Sequence, residues 1–269
     1  LHRSPYQGFS VEFAEHREYV PGDDLRYVDW KAYGKSDRYY LKRFEEDTNF
    51  SCLLVLDTSE SMQYRSSAAA VSKLEYAKYA AAALAHLVVQ QQDAVGLATF
   101  DSELRRMISP SSRPAHLRTL IETLERAEPS GETAIGPLIH QLAERLRKRG
   151  LVIILSDFFD DVDALTMGLK HFRHRRHDVT LMQVIDPVEQ DFDFEQPTLF
   201  KGLEGLPDQM TDPRALRKAY RTEFDAFLRQ VRSACRTLSM DHVLLRTDKP
   251  LDAPLTGYLT RRMQRAGRT

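Results

Sequence analysis

The residues best able to do chemistry in this chain are oxygen donors grouped in three short stretches. Asp57-Thr58-Ser59-Glu60-Ser61 is a D-x-S-x-S sequence, Gly131-Glu132-Thr133 is the second stretch, and Ser156-Asp157 is the third. Asp57, Ser59, Ser61, Thr133 and Asp157 together offer two carboxylates and three hydroxyls. An all-oxygen set with few carboxylates suits a hard cation that keeps several waters, magnesium or manganese rather than calcium. Zinc is disfavoured, because no His or Cys lies in these stretches. With the hydroxyls binding directly and the carboxylates partly through water, such an ion would keep residual positive charge and an open position for an anion.

The three stretches must be brought together by the elements before them. Each follows or adjoins a run that reads as part of a βα unit, and in an open parallel sheet ligands sit beyond the carboxyl ends of the strands. From Phe50 onward, short apolar runs alternate with helical periodicity, the pattern of a doubly wound, mostly parallel sheet flanked by helices. Strands are expected at 52–56, 93–100, 104–108, 151–155, 179–185 and 242–245. The continuous apolar run 151–155 belongs at the centre of the sheet, where both faces are covered. Helices are expected at 67–91, with alanines allowing close approach to the sheet, then at 114–127, 135–148 and 162–173. Another opens at Asp212-Pro213 and carries Leu216, Tyr220, Phe224, Phe227, Val231 and Cys235 on one stripe, and a closing helix carries Leu255, Leu259 and Met263. Residues 186–212 are rich in Pro, Gly and acidic groups and read as an excursion, with a hairpin arm near 198–203. Residues 1–49 differ: they hold many Tyr, Asp, Glu and Arg, turn signals at Pro21-Gly22 and Gly34, and a strand-like run at 39–44. The expected organisation is a small β-containing lead-in at 1–49 and an α/β domain at 50–269.

Composition excludes several classes of function. The 269 residues carry 38 basic and 39 acidic side chains, a formal net charge of -1, so no global field favours nucleic acid or an anionic membrane. No apolar run approaches the ~20 residues of a membrane span, and a soluble chain is expected. Only two Cys are present, Cys52 in an apolar run and Cys235 on a helix stripe, which points to a reducing cytoplasm rather than a disulfide framework. The chain opens at Leu1 with neither an initiator Met nor a signal-like region, so a piece upstream is expected.

Asp57, Ser59, Ser61, Thr133 and Asp157 resemble the metal-ion-dependent adhesion site of the von Willebrand factor A-type domain, with all five positions matched. The resemblance implies a domain that binds without catalysing, a partner protein's carboxylate taking the open position on the metal. The lead-in narrows it further. Gly8-x-Ser10-x-Glu12-Phe13, then Arg17-x-Tyr19-x-Pro21-Gly22-Asp23-Asp24-x-Arg26-x-Val28-Asp29-Trp30, resembles the opening of the bacterial domain-of-unknown-function family fifty-eight, and the segment Thr247-Asp248-x-Pro250-Leu251 is similar to it as well. Its members couple such a lead-in to an A-type domain. They are commonly encoded near MoxR-type AAA+ ATPases, so the resemblance implies a partner of that kind by association, and some relatives carry membrane helices before the lead-in.

Other readings of these residues have less behind them. Asp57 and Ser59 alone could cap a helix, but capping does not call for Thr133 and Asp157 at two other strand ends. A phosphatase with Asp57 as nucleophile and Asp157, Asp160 and Asp161 on magnesium wants a second acid two residues after the nucleophile, where Ser59 stands. Gly34-Lys35-Ser36 has the end of a phosphate-binding loop but Asp29 where the earlier glycine belongs. Gly22-Asp23-Asp24 with Arg17 and Arg26 reads as a turn held by ion pairs, and Trp30 as a core anchor. The basic runs 145–149 and 171–177 fall at helix carboxyl ends, where cations complement the dipole. No Ser/His/Asp hydrolase is evident, and the expectation is a binding module, not an enzyme.

Overall fold

The structure is a computed structural model that describes residues 11–20, 28–29, 32–34, 38–46, 51–131, 135–146, 148–196, 198–200 and 209–266. The chain divides into two compact units, Leu1–Asn49 with Arg265–Thr269, and Phe50–Gln264.

In the first unit, β1 (Val11–Glu18) pairs antiparallel with β2 (Tyr40–Glu46). The hairpin is extended by Tyr19 N–H donating to the Tyr39 carbonyl at 2.9 Å and Asp29 N–H donating to the Tyr40 carbonyl at 2.7 Å. The Tyr33 and Tyr39 rings stack at 4.5 Å. Gly8, Ser10, residues 21–27, Trp30, Lys35 and Ser36 lie outside the described residues, so the Gly22-Asp23-Asp24 turn, Arg26 and the Trp30 anchor do as well.

The second unit is built on a six-stranded sheet. Its strands are β3 (Ser51–Asp57), β4 (Ala94–Phe100), β5 (Leu104–Ser111), β6 (Leu151–Ser156), β7 (Asp178–Ile185) and β10 (Asp241–Arg246). The spatial order is β10-β7-β6-β3-β4-β5, and every pairing is parallel except that of edge strand β5 with β4. Numbered along the sheet strands alone this is the doubly wound order 3-2-1-4-5-6. The fully apolar runs of β3 and β6 form the middle pair, as expected of strands buried on both faces. A short β8 (Thr198–Phe200) and β9 (Gln209–Thr211) pair as the hairpin of the excursion.

Side chains alternate between the sheet's faces along each strand. Cys52, Leu54 and Leu56 pack with Ile153, Leu155, Val184 and Leu245 under α1 (Lys73–Gln90), α2 (Pro114–Glu125) and α7 (Asp252–Ala266). Leu53 and Val55 pack with Val152, Ile154 and Leu181 under α3 (Ile135–Arg145), α4 (Val162–His174) and α6 (Pro213–Thr237). Burying each such Leu or Ile contributes ~1.5–3 kcal/mol. The alanines of α1 do what their size suggests: Ala77, Ala80, Ala81 and Ala85 are fully buried against the first face.

Three expectations shift. Helix α1 begins at Lys73, not near Ser67, because the Ser72 hydroxyl accepts from Glu75 N–H as an N-cap and Ser66 N–H is drawn to Asp186 across the sheet edge. Helix α3 ends at Arg145 rather than Lys148. Leu216 and Met263 sit on their stripes but are 45% and 60% exposed.

Gly96 marks where β4 skips a partner opposite Pro110 of β5. A Cβ there would lie 2.6 Å from the Ile108 carbonyl oxygen and 2.9 Å from Pro110 N, both backbone atoms that cannot swing aside. Gly96→Ala is therefore expected to lower stability by ~1–3 kcal/mol. Gly257→Ala, in α7 with nothing within 4 Å of the added atom, is expected to gain ~0.5–1 kcal/mol. Urea midpoints of the two variants should move in opposite directions; a shift of the same sign in both would contradict the packing described.

Candidate functional site

Because β3 and β6 are parallel neighbours in register, the segments after them leave the sheet side by side. Asp57 ends β3 and Asp157 follows β6, and both are fully buried. Asp57 Oδ1 accepts from Ser59 N–H at 2.9 Å, and its Oδ2 accepts from the Ser156 hydroxyl at 2.5 Å. Burial, reinforced by the neighbouring Asp157 carboxylate and opposed by the Ser156 and Ser59 hydrogen bonds, pushes the Asp57 carboxyl up to about 7. Asp157 Oδ1 accepts from Phe159 N–H at 3.1 Å. The chain turns there through Phe158, whose φ of 59° is uncommon for a bulky residue, and that turn aims the Asp157 side chain and the Phe159 N–H at each other.

The D-x-S-x-S stretch continues into a 3-10 turn, Glu60–Gln63, that brings Ser59 Oγ within 3.1 Å of Ser61 Oγ. Thr58 looks the other way, its N–H and hydroxyl both donating to the Phe100 carbonyl at 2.6 and 2.8 Å. The second loop is fastened to this one. Glu60 N–H donates to the Gly131 carbonyl at 3.0 Å, Ser130 N–H donates to the Thr58 carbonyl at 2.7 Å, and the Ser130 hydroxyl donates to Asp101 Oδ2 at 2.8 Å. Asp101 is fully buried and also receives Arg105 Nε at 2.6 Å. Gly131 has φ +69°, which a Cβ-bearing residue adopts only with strain. Glu132 and Thr133 lie outside the described residues; at the start of α3, Ile135 N–H donates to Asp160 Oδ2 at 2.8 Å.

Sequence reasoning missed the residue that dominates the electrostatics here. Lys73, the first residue of α1, is 0% exposed, and its Nζ lies 2.7 Å from Asp157 Oδ2 and 2.5 Å from Glu189 Oε1. The ammonium also sits 4.7 Å from the centre of the Phe159 ring. Burial pulls Lys73 down, but Asp157 and Glu189 outweigh it and the net direction is up. Glu189 is pushed up by burial and by Asp157 despite its ammonium partner. It belongs to α5 (Pro187–Asp191), a one-turn helix capped by Asp186, and Asp186 in turn accepts Ser66 N–H at 2.9 Å. One signal was present in the sequence: a lysine directly after an N-cap serine puts positive charge at the positive end of a helix, a local conflict that asks for a tertiary partner.

Behind Asp157 runs a neutral chain of hydrogen bonds. Gln183 Nε2 donates to the Asp157 carbonyl at 3.0 Å, and Gln183 Oε1 lies 2.9 Å from His242 Nε2. With the Gln183 amide nitrogen committed to a carbonyl, its oxygen must accept, so His242 Nε2 carries a proton.

The acids that a phosphatase would need have other roles. Asp160 Oδ2 accepts Ile135 N–H at the start of α3, and Asp161 accepts Asp163 N–H at 2.8 Å as the N-cap of α4. The basic runs 145–149 and 171–177 precede β6 and β7, at the amino edge of the sheet and away from these loops. Cys52 and Cys235 are buried free thiols, each pushed up to about 12 by burial, so neither is poised as a nucleophile.

The donor chemistry fits a small hard cation. Two ligands on adjacent corners of an octahedron with bonds of 2.0–2.1 Å lie about 2.9 Å apart, close to the 3.1 Å between the Ser59 and Ser61 hydroxyl oxygens. Among the described residues, no group of three or more His, Cys, Asp or Glu side chains is placed to hold a metal.

The chain matches the family described as "protein of unknown function DUF58" over residues 15–232. It belongs to the DUF58 family. Uncharacterised proteins of Mycobacterium tuberculosis and Mycobacterium bovis are 24% identical to it over 263 residues, covering 96% of this chain and 82% of theirs. Among solved structures, the conserved hypothetical protein BatB from Bacteroides thetaiotaomicron aligns with a TM-score of 0.51 at 16% identity, over 82% of this chain and all of that one. An aerotolerance-related membrane protein from Bacteroides fragilis aligns with a TM-score of 0.50 at 16% identity, over 80% of this chain and 99% of that one. The resemblance drawn from the lead-in therefore holds, and this DUF58 chain has the expected α/β, von Willebrand factor A-like fold: a mostly parallel six-stranded sheet between two helical layers. No described helix is long and apolar enough to cross a membrane.

Burial and then Arg232 push His242 down to about 4, so the unfolded chain takes up a proton on this residue in a range where the folded chain does not. Stability from this group is complete above about 6.5 and is lost as pH falls toward 4. Asp57, held at about 7, takes up its proton in the folded chain over the same range and acts with the opposite sign, so the readout is a difference: between pH 7 and 4 the urea midpoint of the wild type should lose ground relative to that of His242→Gln, which retains a donor toward Gln183. An unchanged slope in the variant would remove His242 from the acid response.

Proposed function

We propose that this DUF58 chain is a non-enzymatic, metal-dependent protein-binding module. Ser59 and Ser61 would hold one magnesium or manganese ion directly, with Thr133 as a third hydroxyl and Asp57 and Asp157 acting partly through water. The observation that carries the reading is the pair of hydroxyls 3.1 Å apart at the carboxyl edge of the sheet, in the loop that follows the buried Asp57, with the buried Asp157 at the end of the neighbouring strand. When bound, the ion supplies a Lewis-acid position for an acidic side chain of another protein. The chain's own part is to hold the donors still: Asp57 orients Ser59 through its N–H, Ser156 orients Asp57, and the Gly131 loop is tied to Glu60.

The partner we infer is a MoxR-type AAA+ ATPase, or a client shared with one in the assembly or maturation of other proteins. That inference rests on the family resemblance. Two buried free thiols accord with a reducing compartment such as the cytoplasm. The alternative, a magnesium-dependent phosphotransferase using Asp57, has less support, because both Asp57 oxygens already accept hydrogen bonds and Asp160 and Asp161 cap helices.

Calorimetric titration should detect one weak magnesium or manganese site in the wild type, and Asp57→Ala combined with Thr133→Ala should weaken it by about 10–100-fold. Equal binding by both proteins would remove the site assignment. Co-purification from the native host should recover an acidic partner with magnesium, and lose it with chelator or with Ser59→Ala plus Ser61→Ala. Recovery in all three conditions would show that the ion is not the bridge.

A further inference from the structure

The geometry points to Lys73 as a built-in counter-cation, a side chain that weakens the hold of the Ser59/Ser61 site on a divalent ion and lets the fold stand without one. The proposal rests on the metal reading above and goes beyond it, because it assigns the control of affinity to a residue outside the five donors.

Three observations carry it. The Lys73 ammonium is 2.7 Å from Asp157 Oδ2, the carboxylate oxygen not already engaged by Phe159 N–H, so positive charge is in place on this donor before any ion arrives. The side chains of Lys73 and Asp157 are both 0% exposed, and Asp157 is close enough to Asp57 to raise its carboxyl, so water does little to screen the charge balance of this pair from the edge where Asp57 orients Ser59. Glu189 shares the ammonium at 2.5 Å while its Oε2 accepts Asp186 N–H, which fixes the second carboxylate on the side away from β3. Lys73 therefore stands between one acid that belongs to the site and one that does not. Each unit of charge added or removed there changes the work of placing a divalent ion, and at an effective dielectric near 20 a unit charge even about 10 Å from such an ion is ample for a tenfold change in affinity.

The arrangement also gives Asp157 and Glu189 a counter-charge supplied by the chain itself. An unpaired buried carboxylate costs several kcal/mol, and the ammonium removes that penalty for Asp157 and Glu189 together. Taking Lys73 away transfers the demand for positive charge to the ion. Taking Glu189 away leaves the ammonium to Asp157 alone and raises the positive charge felt at the site. The two substitutions should act with opposite signs, which a general loosening of the loop would not produce.

The test is titration calorimetry with magnesium and with manganese on the full chain, with thermal melts in the presence and absence of each ion. Lys73→Met should bind at least about tenfold tighter than wild type and should melt higher with the ion by a larger margin. Glu189→Gln should bind several-fold more weakly. Lys78→Met, farther along α1 and paired with Glu75, should match the wild type. Wild-type binding with Lys73→Met no tighter would overturn the role of Lys73 and leave the metal reading standing. Absence of binding in every protein would overturn both. If Lys73→Met folds only when the ion is added, that dependence supports the proposal; if it does not fold at all, Glu189→Gln decides, with weaker binding in favour and unchanged binding against.

Discussion

Charge without water governs the carboxyl edge of this sheet. Asp57, Asp157 and Asp186 are fully buried and Glu189 nearly so, and among the described residues the ammonium paired with these acids is that of Lys73. Carboxylates in such a place persist only when each oxygen meets a donor or a cation. The loops of the edge are shaped by that demand: Ser59 N–H and Ser156 answer Asp57, Phe159 N–H and Lys73 answer Asp157, and Ser66 and Val188 N–H groups answer Asp186. The start of α1, the left-handed turn at Phe158 and the small helix α5 all follow from placing those donors.

The sheet makes that concentration of charge possible. Two central parallel strands with apolar side chains on both faces release their chains at one edge, at the spacing of neighbouring strands, so that two acids far apart in sequence arrive together. The helical layers seal the faces, and only the edge remains for polar chemistry. A ligand site there needs no new architecture, only loops that hold oxygen donors apart by the width of an ion. The neutral relay from Asp157 through Gln183 to His242 extends this rigidity across β7 to β10, so the acid is braced from behind as well as paired in front.

Asp160 and Asp161 show why a residue type in a plausible place is weak ground for chemistry. Both come after the central strand and both are acids, as a phosphotransferase would require, yet Asp160 accepts from Ile135 N–H with one oxygen and from Asp161 N–H with the other, and Asp161 Oδ1 accepts from the N–H groups of Asp163 and Ala164 at the start of α4. Asp101 is a quieter case: it ends up buried beneath the Gly131 loop, where with Ser130 it braces the stretch that leads to Thr133. Nothing in the local sequence separates it from an ordinary acid in a turn after a strand.

The alternation of apolar runs with helical periodicity was enough to determine six strands, their helices and the central position of residues 151–155, because burial on two faces leaves a mark on every residue of a strand. The D-x-S-x-S stretch and Asp157 were legible for a related reason: parallel strands put their carboxyl ends together, so candidate donors can be read from the residues just after each strand. The lead-in signature was enough to name the family. Tertiary structure alone decided that Lys73 is the partner of Asp157 and Glu189, 84 and 116 residues away in the chain. It alone decided that Ser66 N–H is drawn to Asp186 and that α1 starts at Lys73. The exposure of Leu216 and Met263 was equally hidden, since periodicity tells which side of a helix is apolar but not which of its turns are covered. Pairings between charges carry no sequence period: any lysine has the same formula, and only the path of the backbone determines which acids it meets without water between them.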